Sequence, residues 1–434
     1  MLQKIEGGKN KVVIPMFVIF GILLFLGMPI AFAMAISGVI GVITTGDVSL
    51  LLIPQKLFMS INTFPLLAVP LFILAGEIMT VGGIIKRIVN FATVIMGRVS
   101  GSLGYVNVLS SMIMAGFAGS ATADAVAIGG MMIPAMTKQG YPPEFSAGIT
   151  ASSACIGPII PPSLTMVIYG ALTGLSVGRL FLAGLIPGIC IGLILMLGVF
   201  YYAQKHNYPK GERTSLKQKI KAFREVFLAL LAPVIIIGGL ISGVMTATET
   251  GVVCSAYAFF LGYFVYKEIK INQILKILTK AAINTAIPII IMVGAASFGW
   301  VLAYNNFASS LVNLLFVFTS NAKIMLMLII LMLLIVGLFV EGGAATIIFV
   351  PLLFPIGNVL GYDPYQFAMI VEITMMIGTI TPPVGLQLYI ASSIAKVPIS
   401  KTIIWPFAFL MLIVVILIVF FPFLATFLPS HVFG

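Results

Sequence analysis

Gly140-Tyr141 opens a segment that runs on to Gly157-Pro158-Ile159-Ile160-Pro161-Pro162-Ser163. The same figure returns as Gly361-Tyr362 followed by Gly378-Thr379-Ile380-Thr381-Pro382-Pro383-Val384-Gly385. In both copies 17 residues separate the first glycine from the second, and 21 separate Gly-Tyr from Pro-Pro. Pro134 and Pro355 share the same offset of 221, and Asn62-Thr63 recurs as Asn284-Thr285 at 222. One such match arises by chance; the set argues for two homologous halves. The division is residues 1–203 and 226–434, joined by a basic linker at 204–225.

Working outward, the chain is too apolar for a water-soluble fold: of 434 residues, 61% are hydrophobic and 8% charged. Apolar runs recur at 12–43, 66–79, 181–203, 226–244, 252–265, 324–340 and 403–427. A membrane-spanning helix needs roughly 20 apolar residues, and in lipid only helices or closed barrels satisfy the backbone. No strand-like alternation is present, so the reading is an all-α polytopic membrane protein. Residues 1–11 lead into an apolar stretch without a small-residue cleavage site, so no signal peptide is expected. Cys155, Cys190 and Cys254 lack metal-ligand or CxxC spacing and read as small residues within helices. The net charge of +11 does not point to nucleic acid: residues 205–224 hold seven Lys/Arg against one acid. Basic residues beside membrane helices mark the cytoplasmic side.

Equivalent loops of the two halves differ in charge. Lys86, Arg87 and Arg98 make one basic, whereas its counterpart at 308–320 has no charge; Lys138 lies beside the first Gly-Tyr and Asp363 follows the second. Inverted repeats follow, an arrangement used by many secondary transporters. Loop 86–98, the linker, 267–280 and Lys396/Lys401 all fall on the cytoplasmic face. The symmetry also splits 12–44 near Gly27-Met28-Pro29 and places the N-terminus outside, against the pull of Lys4, Lys9 and Lys11.

Before each Gly-Tyr, the pattern predicts a re-entrant hairpin, about 103–137 and about 322–357. In the first, helices at 103–118 and 125–136 flank Gly119-Ser120-Ala121-Thr122-Ala123-Asp124; in the second, 322–340 and 347–356 flank Glu341-Gly342-Gly343-Ala344-Ala345-Thr346. After each hairpin a helix is broken inside the membrane, at about 145–175 and about 365–395. Proline has no N–H for the carbonyl four residues earlier. Pro161 and Pro162 therefore leave the carbonyls of Gly157 and Pro158 without helical partners, and Pro382 and Pro383 do the same to Gly378 and Thr379. Buried unpaired carbonyls cost several kcal/mol each. The hydroxyls of Ser153, Ser163, Thr379 and Thr381 can satisfy them, and so can Na⁺, which unwound carbonyls coordinate in transporters.

Among acids in or near apolar spans, Asp124 and Glu341 lie at hairpin tips, where either completes a cation site or titrates. Glu249 reads as a loop residue; Glu77 and Glu372 read equally well as hydrogen-bonding partners of neighbouring helices or as functional groups. His206 and His431 lie outside the spans, which argues against a histidine relay. Segments 47–60 and 267–279 read as interfacial helices.

These residues resemble the large membrane subunit of the TRAP (tripartite ATP-independent periplasmic) transporters over essentially the whole chain. The likeness is strongest in Gly119 to Asp124, Ile133-Pro134, Gly140-Tyr141, Ile159 to Ser163, Tyr169-Gly170, Gly178 to Gly188 and Asn62 to Gly76. The resemblance implies an elevator-type symporter of the bacterial inner membrane, not an enzyme. It would take up an organic acid such as a C4-dicarboxylate or sialic acid with Na⁺, and use no organic cofactor. A periplasmic binding protein and a small four-helix membrane subunit would be its partners, the latter separate rather than fused. The implied Na⁺ and substrate sites take Gly119, Ser120, Ala121, Thr122, Asp124, Ser153, Gly157, Pro158, Pro161, Pro162 and Ser163 from the first half. From the second they take Glu341, Gly342, Gly343, Thr346, Gly378, Thr379, Thr381, Pro382, Pro383 and Gly385. The alternatives are another ion-coupled inverted-repeat anion transporter, or a channel. The chain lacks a Walker-type phosphate loop, which disfavours an ATP-driven pump.

Overall fold

The computed structural model describes residues 2–434 except 47, 308, 311, 312, 314–318 and 320. The N-terminal apolar run is two helices, α1 (Leu2–Phe25) and α2 (Ile30–Thr45), parted at Gly27 (φ +80°) and Pro29, where the sequence symmetry divides them. There follow α3 (Leu52–Ile61), a 3₁₀ turn (Phe64–Leu67), α4 (Ala68–Val81), α5 (Ile84–Met96), α6 (Ser102–Ala118) and α7 (Ala121–Lys138). The broken helix comprises α8 (Pro143–Ala154) and α9 (Leu164–Thr173); α10 (Val177–Lys205) closes the first half. The second half runs α11 (Leu216–Ile241), α12 (Ala247–Phe260), a π turn (Leu261–Val265) and α13 (Ile271–Tyr304). It continues through α14 (Ala322–Gly337), α15 (Gly342–Val359), α16 (Pro364–Gly378), α17 (Leu386–Ala395), α18 (Trp405–Phe420) and α19 (Phe423–Phe433). Most of the uncharged 308–320 loop lies outside the described residues.

Among the described residues, six stretches are long and apolar enough to cross a membrane, and α18 with α19 makes a seventh, bent by 56° at Phe421-Pro422. At 34 residues α13 is roughly 50 Å long, more than a bilayer core needs. Its first turns take up much of the predicted interfacial segment 267–279, while α3 is a separate amphipathic helix packed on it.

Several expected boundaries move. The hairpin tips are shorter than the sequence suggested: only Gly119 and Ser120 part α6 from α7, because the Ser120 hydroxyl caps α7 by accepting from Ala123 N (3.4 Å). Glu341 occupies the equivalent position and caps α15, its carboxylate accepting from Ala344 N (3.1 Å). The second arms, each of 18 residues, are correspondingly longer than read, so their length does not argue for re-entry. The linker is partly helix, since α11 starts at Leu216 behind a Ser215–Gln218 capping box. Its first residues strap onto the base of the first hairpin: Gly101 N and the Tyr141 hydroxyl both donate to Pro209 O, and Tyr208 is buried. Burial pushes the Tyr208 phenol up to about 12. Glu249 is not a loop residue but the partner of Thr246 in the capping box of α12 (Thr246 N to Glu249 Oε2, 2.7 Å).

Helices meet through small residues, as they do where lipid supplies no hydrophobic drive. A Cβ on Gly38 of α2 would lie 2.5 Å from Phe298 N of α13, and one on Gly294 would strike the Ala31 carbonyl. On the other side of the molecule the sequence halves interlock: α9 packs on α15, and α17 packs on α7 and α8. Cys155 and Met376, which are 221 residues apart, touch at this junction (Sγ to O, 3.4 Å).

Candidate functional site

Each helix break is held against a hairpin tip. The Leu164 amide, first in α9, donates to Gly119 O (3.3 Å), and Gly385, just ahead of α17, donates to Leu338 O (3.1 Å). Gly119 takes φ +57°, and a Cβ there would sit 2.5 Å from Pro162 O, so the approach requires glycine. A Cβ on Gly157 would meet Ser120 O at 3.2 Å, and one on Gly378 would meet the Cα of Gly337 at 2.5 Å. Pro161-Pro162 and Pro382-Pro383 are both cis.

The freed carbonyls are largely satisfied within the chain. Pro158 O accepts from the Ser163 hydroxyl, which also caps α9, and from Thr165 Oγ1 (3.4 Å). Gly378 O accepts from Thr381 N (3.0 Å) and Thr379 O from Gln387 N (3.1 Å). None of these three has the helical partner that proline removes; the Ser163 hydroxyl satisfies Pro158 O as expected, while a short-range turn and the next helix, rather than the Thr379 and Thr381 hydroxyls, supply Gly378 O and Thr379 O. A carbonyl oxygen has two lone pairs, so each can still take an ion. The other hydroxyls bond inward, Thr379 Oγ1 to Met376 O (2.7 Å) and Thr381 Oγ1 to Ile377 O (2.8 Å). Ser153 belongs to a buried network: it donates to Asn107 Oδ1 (2.9 Å), accepts from Ser111 (3.2 Å), and Asn107 Nδ2 donates to Thr150 (2.6 Å). Asp124, in the first turn of α7, is buried beside Ser111, and neither carboxylate oxygen has a hydrogen-bond partner among the described residues.

The tips and breaks converge on a cavity of about 570 Å³. Gly119, Ser120, Ala121 and Thr122 reach it from the first tip, Pro158 from the first break, and Glu341 and Gly343 from the second tip. The opposite wall is α4 and α13, with Glu77, Thr80, Lys280 and Asn284. Glu77 accepts from Asn284 Nδ2 (2.8 Å), the neighbouring-helix bond that was one of its two readings. Among the described residues Lys280 brings the one cationic side chain to the cavity, which offers an anion this positive group, hydroxyls and the N-terminus of α7, beside the carboxylates of Glu77 and Glu341. Asp124, Ser153, Gly157, Gly378, Thr379, Thr381 and the four prolines are not on the wall; they form the layer behind it.

The sequence reading missed Lys280, Asn284, Thr165, Asn107 and Gln387. Gln387 donates to the Thr122 hydroxyl (3.4 Å), bonding the second break to the first tip. A polar residue in an apolar run was the available signal for Asn107; the others depend on packing between the halves.

The family described as "Tripartite ATP-independent periplasmic transporter, DctM component" matches residues 17–424. The chain is 37% identical to the sialic acid TRAP transporter large permease protein SiaM of Vibrio cholerae, covering 95% of this chain and 97% of that one. It is 34% identical to the C4-dicarboxylate TRAP transporter large permease protein DctM of Rhodobacter capsulatus, covering 95% and 98%. Among solved structures, the YdaH transporter of Alcanivorax borkumensis aligns with a TM-score of 0.62 at 14% identity, covering 86% of this chain and 88% of that one, a likeness of fold.

Proposed function

Because the chain belongs to the TRAP transporter family, as its DctM component, we propose that it is the large membrane subunit of a Na⁺-coupled importer of an organic acid anion. The observation that carries this reading is the cavity in which both hairpin tips and the first helix break face a wall bearing Lys280. The anion's carboxylate lies against Lys280 and the N-terminus of α7, since the Glu341 carboxylate already occupies that of α15, and Na⁺ binds in the layer behind. Coupling follows because binding a cation there holds the tips closed on the breaks, so that neither solute moves alone.

The two sequence halves are inverted repeats, and the interlocked block of hairpins and broken helices moves against the rest as an elevator. Support comes from the shared 221-residue offset, the opposed loop charges and the packing of each broken helix on the other half's hairpin. The cavity wall reaches Thr80 and Lys280, at the ends that lead to the basic segments, so the state is inward-facing. The membrane is the bacterial inner membrane, and the partners are a small membrane subunit and a periplasmic binding protein. Substrates of the sialic acid or C4-dicarboxylate type suit the site, and similar identities to relatives of each type leave the choice to the binding protein.

The test is uptake by proteoliposomes containing the chain, its small subunit and its binding protein, with candidate organic acids. Accumulation should require an inward Na⁺ gradient and the binding protein together. Equilibration without accumulation, indifferent to both, would identify a passive pore and sink the proposal.

A further inference from the structure

Glu372 stands in the middle of α16, fully buried. Its Oε1 lies 2.8 Å from the Thr346 hydroxyl, four residues into α15, whose single hydrogen is shared between this carboxylate and Gly342 O (3.0 Å). Its Oε2 has no hydrogen-bond partner among the described residues. The Thr165 hydroxyl, from α9 of the other half, lies beside the same carboxylate. One turn further along α9 the Tyr169 hydroxyl is also buried and, among the described residues, without a partner. Among the described residues the ion pair is Arg87–Glu268, partly exposed at the start of α5, so no Lys or Arg bridges Glu372.

A buried carboxylate with no countercharge costs several kcal/mol, which two hydroxyl contacts do not offset. A proton would remove the charge and leave the carboxyl to share its hydrogen with a neighbouring hydroxyl, which is the competing reading that the test below decides. A small monovalent cation offsets the charge and uses the unpartnered Oε2 together, since it needs oxygen ligands and no hydrogen-bond geometry. The residues present fit it: one carboxylate oxygen and the hydroxyls of Thr346 and Thr165, with the unpartnered Tyr169 hydroxyl one turn along α9.

We propose that Glu372 is the charged ligand of a Na⁺ site enclosed between α15, α16 and α9, behind the hairpin tip and separate from the carbonyls of the helix break. It is the second half's answer to Asp124. In the first half the carboxylate comes from the hairpin arm; in the second it comes from the broken helix and faces the hairpin arm. The positions offset by 221 from Asp124 and Glu372 are Ala345 and Ala151, so the repeat pattern conceals the correspondence. Because the site joins α9 of one half to α15 of the other, an ion bound there ties the interlocked block together. This deepens the transport reading and rests on it for the identity of the ion.

The test is direct binding of radioactive sodium to the purified chain in detergent, at constant ionic strength in Na⁺ against K⁺, with thermal stability recorded in parallel. Glu372→Gln should bind one Na⁺ fewer per chain than the wild type and show a shallower Na⁺ dependence of its melting temperature. Glu372→Asp should keep the count and lose affinity by about tenfold, because the shorter side chain withdraws the ligand. Glu225→Gln, an exposed carboxylate on α11, should leave both measurements unchanged. A wild-type count and affinity in folded Glu372→Gln would overturn the site, as would a Glu372→Asp chain that binds like wild type where the Gln variant does not fold. A proton-carrying Glu372 gives the first of these outcomes. Loss of Na⁺-driven uptake with sodium binding intact would overturn the transport reading and leave the site standing.

Discussion

At the scale of single residues, the proposed transport reading gives two charges different uses. Asp124 and Lys280 illustrate the two uses. Asp124 is buried with both oxygens unpartnered among the described residues, so the neutral isostere Asp124→Asn removes the charge that the proposed ion would meet while keeping the shape. Apparent Na⁺ affinity for uptake should fall by about tenfold, which corresponds to about 1.4 kcal/mol, with substrate affinity at saturating Na⁺ little changed. An unaltered Na⁺ titration would remove Asp124 from the ion path. Lys280 is exposed to the cavity, so its attraction for an anion is screened and worth roughly 1 kcal/mol. Lys280→Gln should therefore raise the KM for the organic acid about fivefold, and Lys280→Arg should restore most of it; equal KM values for all three chains would show that the anion does not meet this wall. Asp124 was legible in the sequence because an acid in a Gly/Ala-rich stretch of an apolar chain has little reason to be there. Lys280 was not: it ends a segment rich in Lys and Ile/Leu that reads as membrane surface, and only the length of α13 carries it to the cavity.

At the scale of elements, the matched breaks were legible because Pro-Pro acts through local covalent geometry. Their hydrogen bonds were not, because they close through Thr165, Gln387 and the hairpin tips, which lie on other elements. The tips were misjudged in length for a related reason. A Gly/Ala/Ser/Thr stretch reads as loop, yet one capping side chain, Ser120 or Glu341, starts the helix four residues earlier than expected in the first hairpin and five in the second. Each break depends on a helix that cannot continue. Replacing Pro161-Pro162 with Ala-Ala restores two amide donors and lets α8 run toward α9. The Leu164–Gly119 bond that seats the first tip then has to give way. The expected result is an inserted, folded protein whose uptake loses Na⁺ dependence, and the same holds for Pro382-Pro383 and the Gly385–Leu338 bond. Wild-type Na⁺ dependence in both double variants would show that tip seating is not what couples the ion.

At the scale of the whole molecule, the question is which face the cavity opens to. The two halves interlock through α9 on α15 and α17 on α7, so the hairpins and broken helices have many reasons to move as one body. The wall formed by α4 and α13 is closely packed on α12 and α2 instead, with glycine contacts such as Gly38 on Phe298 that leave no room for sliding. The cavity lies between these two bodies, so on the proposed elevator reading it is the space that changes in a transport cycle. Thr80 stands on its wall near the end of α4, six residues before Lys86. If the basic segments are cytoplasmic, Thr80→Cys, in a chain whose Cys155, Cys190 and Cys254 are replaced, should react with a membrane-impermeant maleimide from the cytoplasmic side of inverted vesicles. It should not react from the outer face of intact cells or right-side-out vesicles. Adding Na⁺ and substrate should slow that reaction, because the hairpin block then leaves this position for part of each cycle. Labelling from the outer face alone would reverse the assigned topology. Labelling from inside that is indifferent to both solutes would keep the topology but argue that the two bodies do not move past each other.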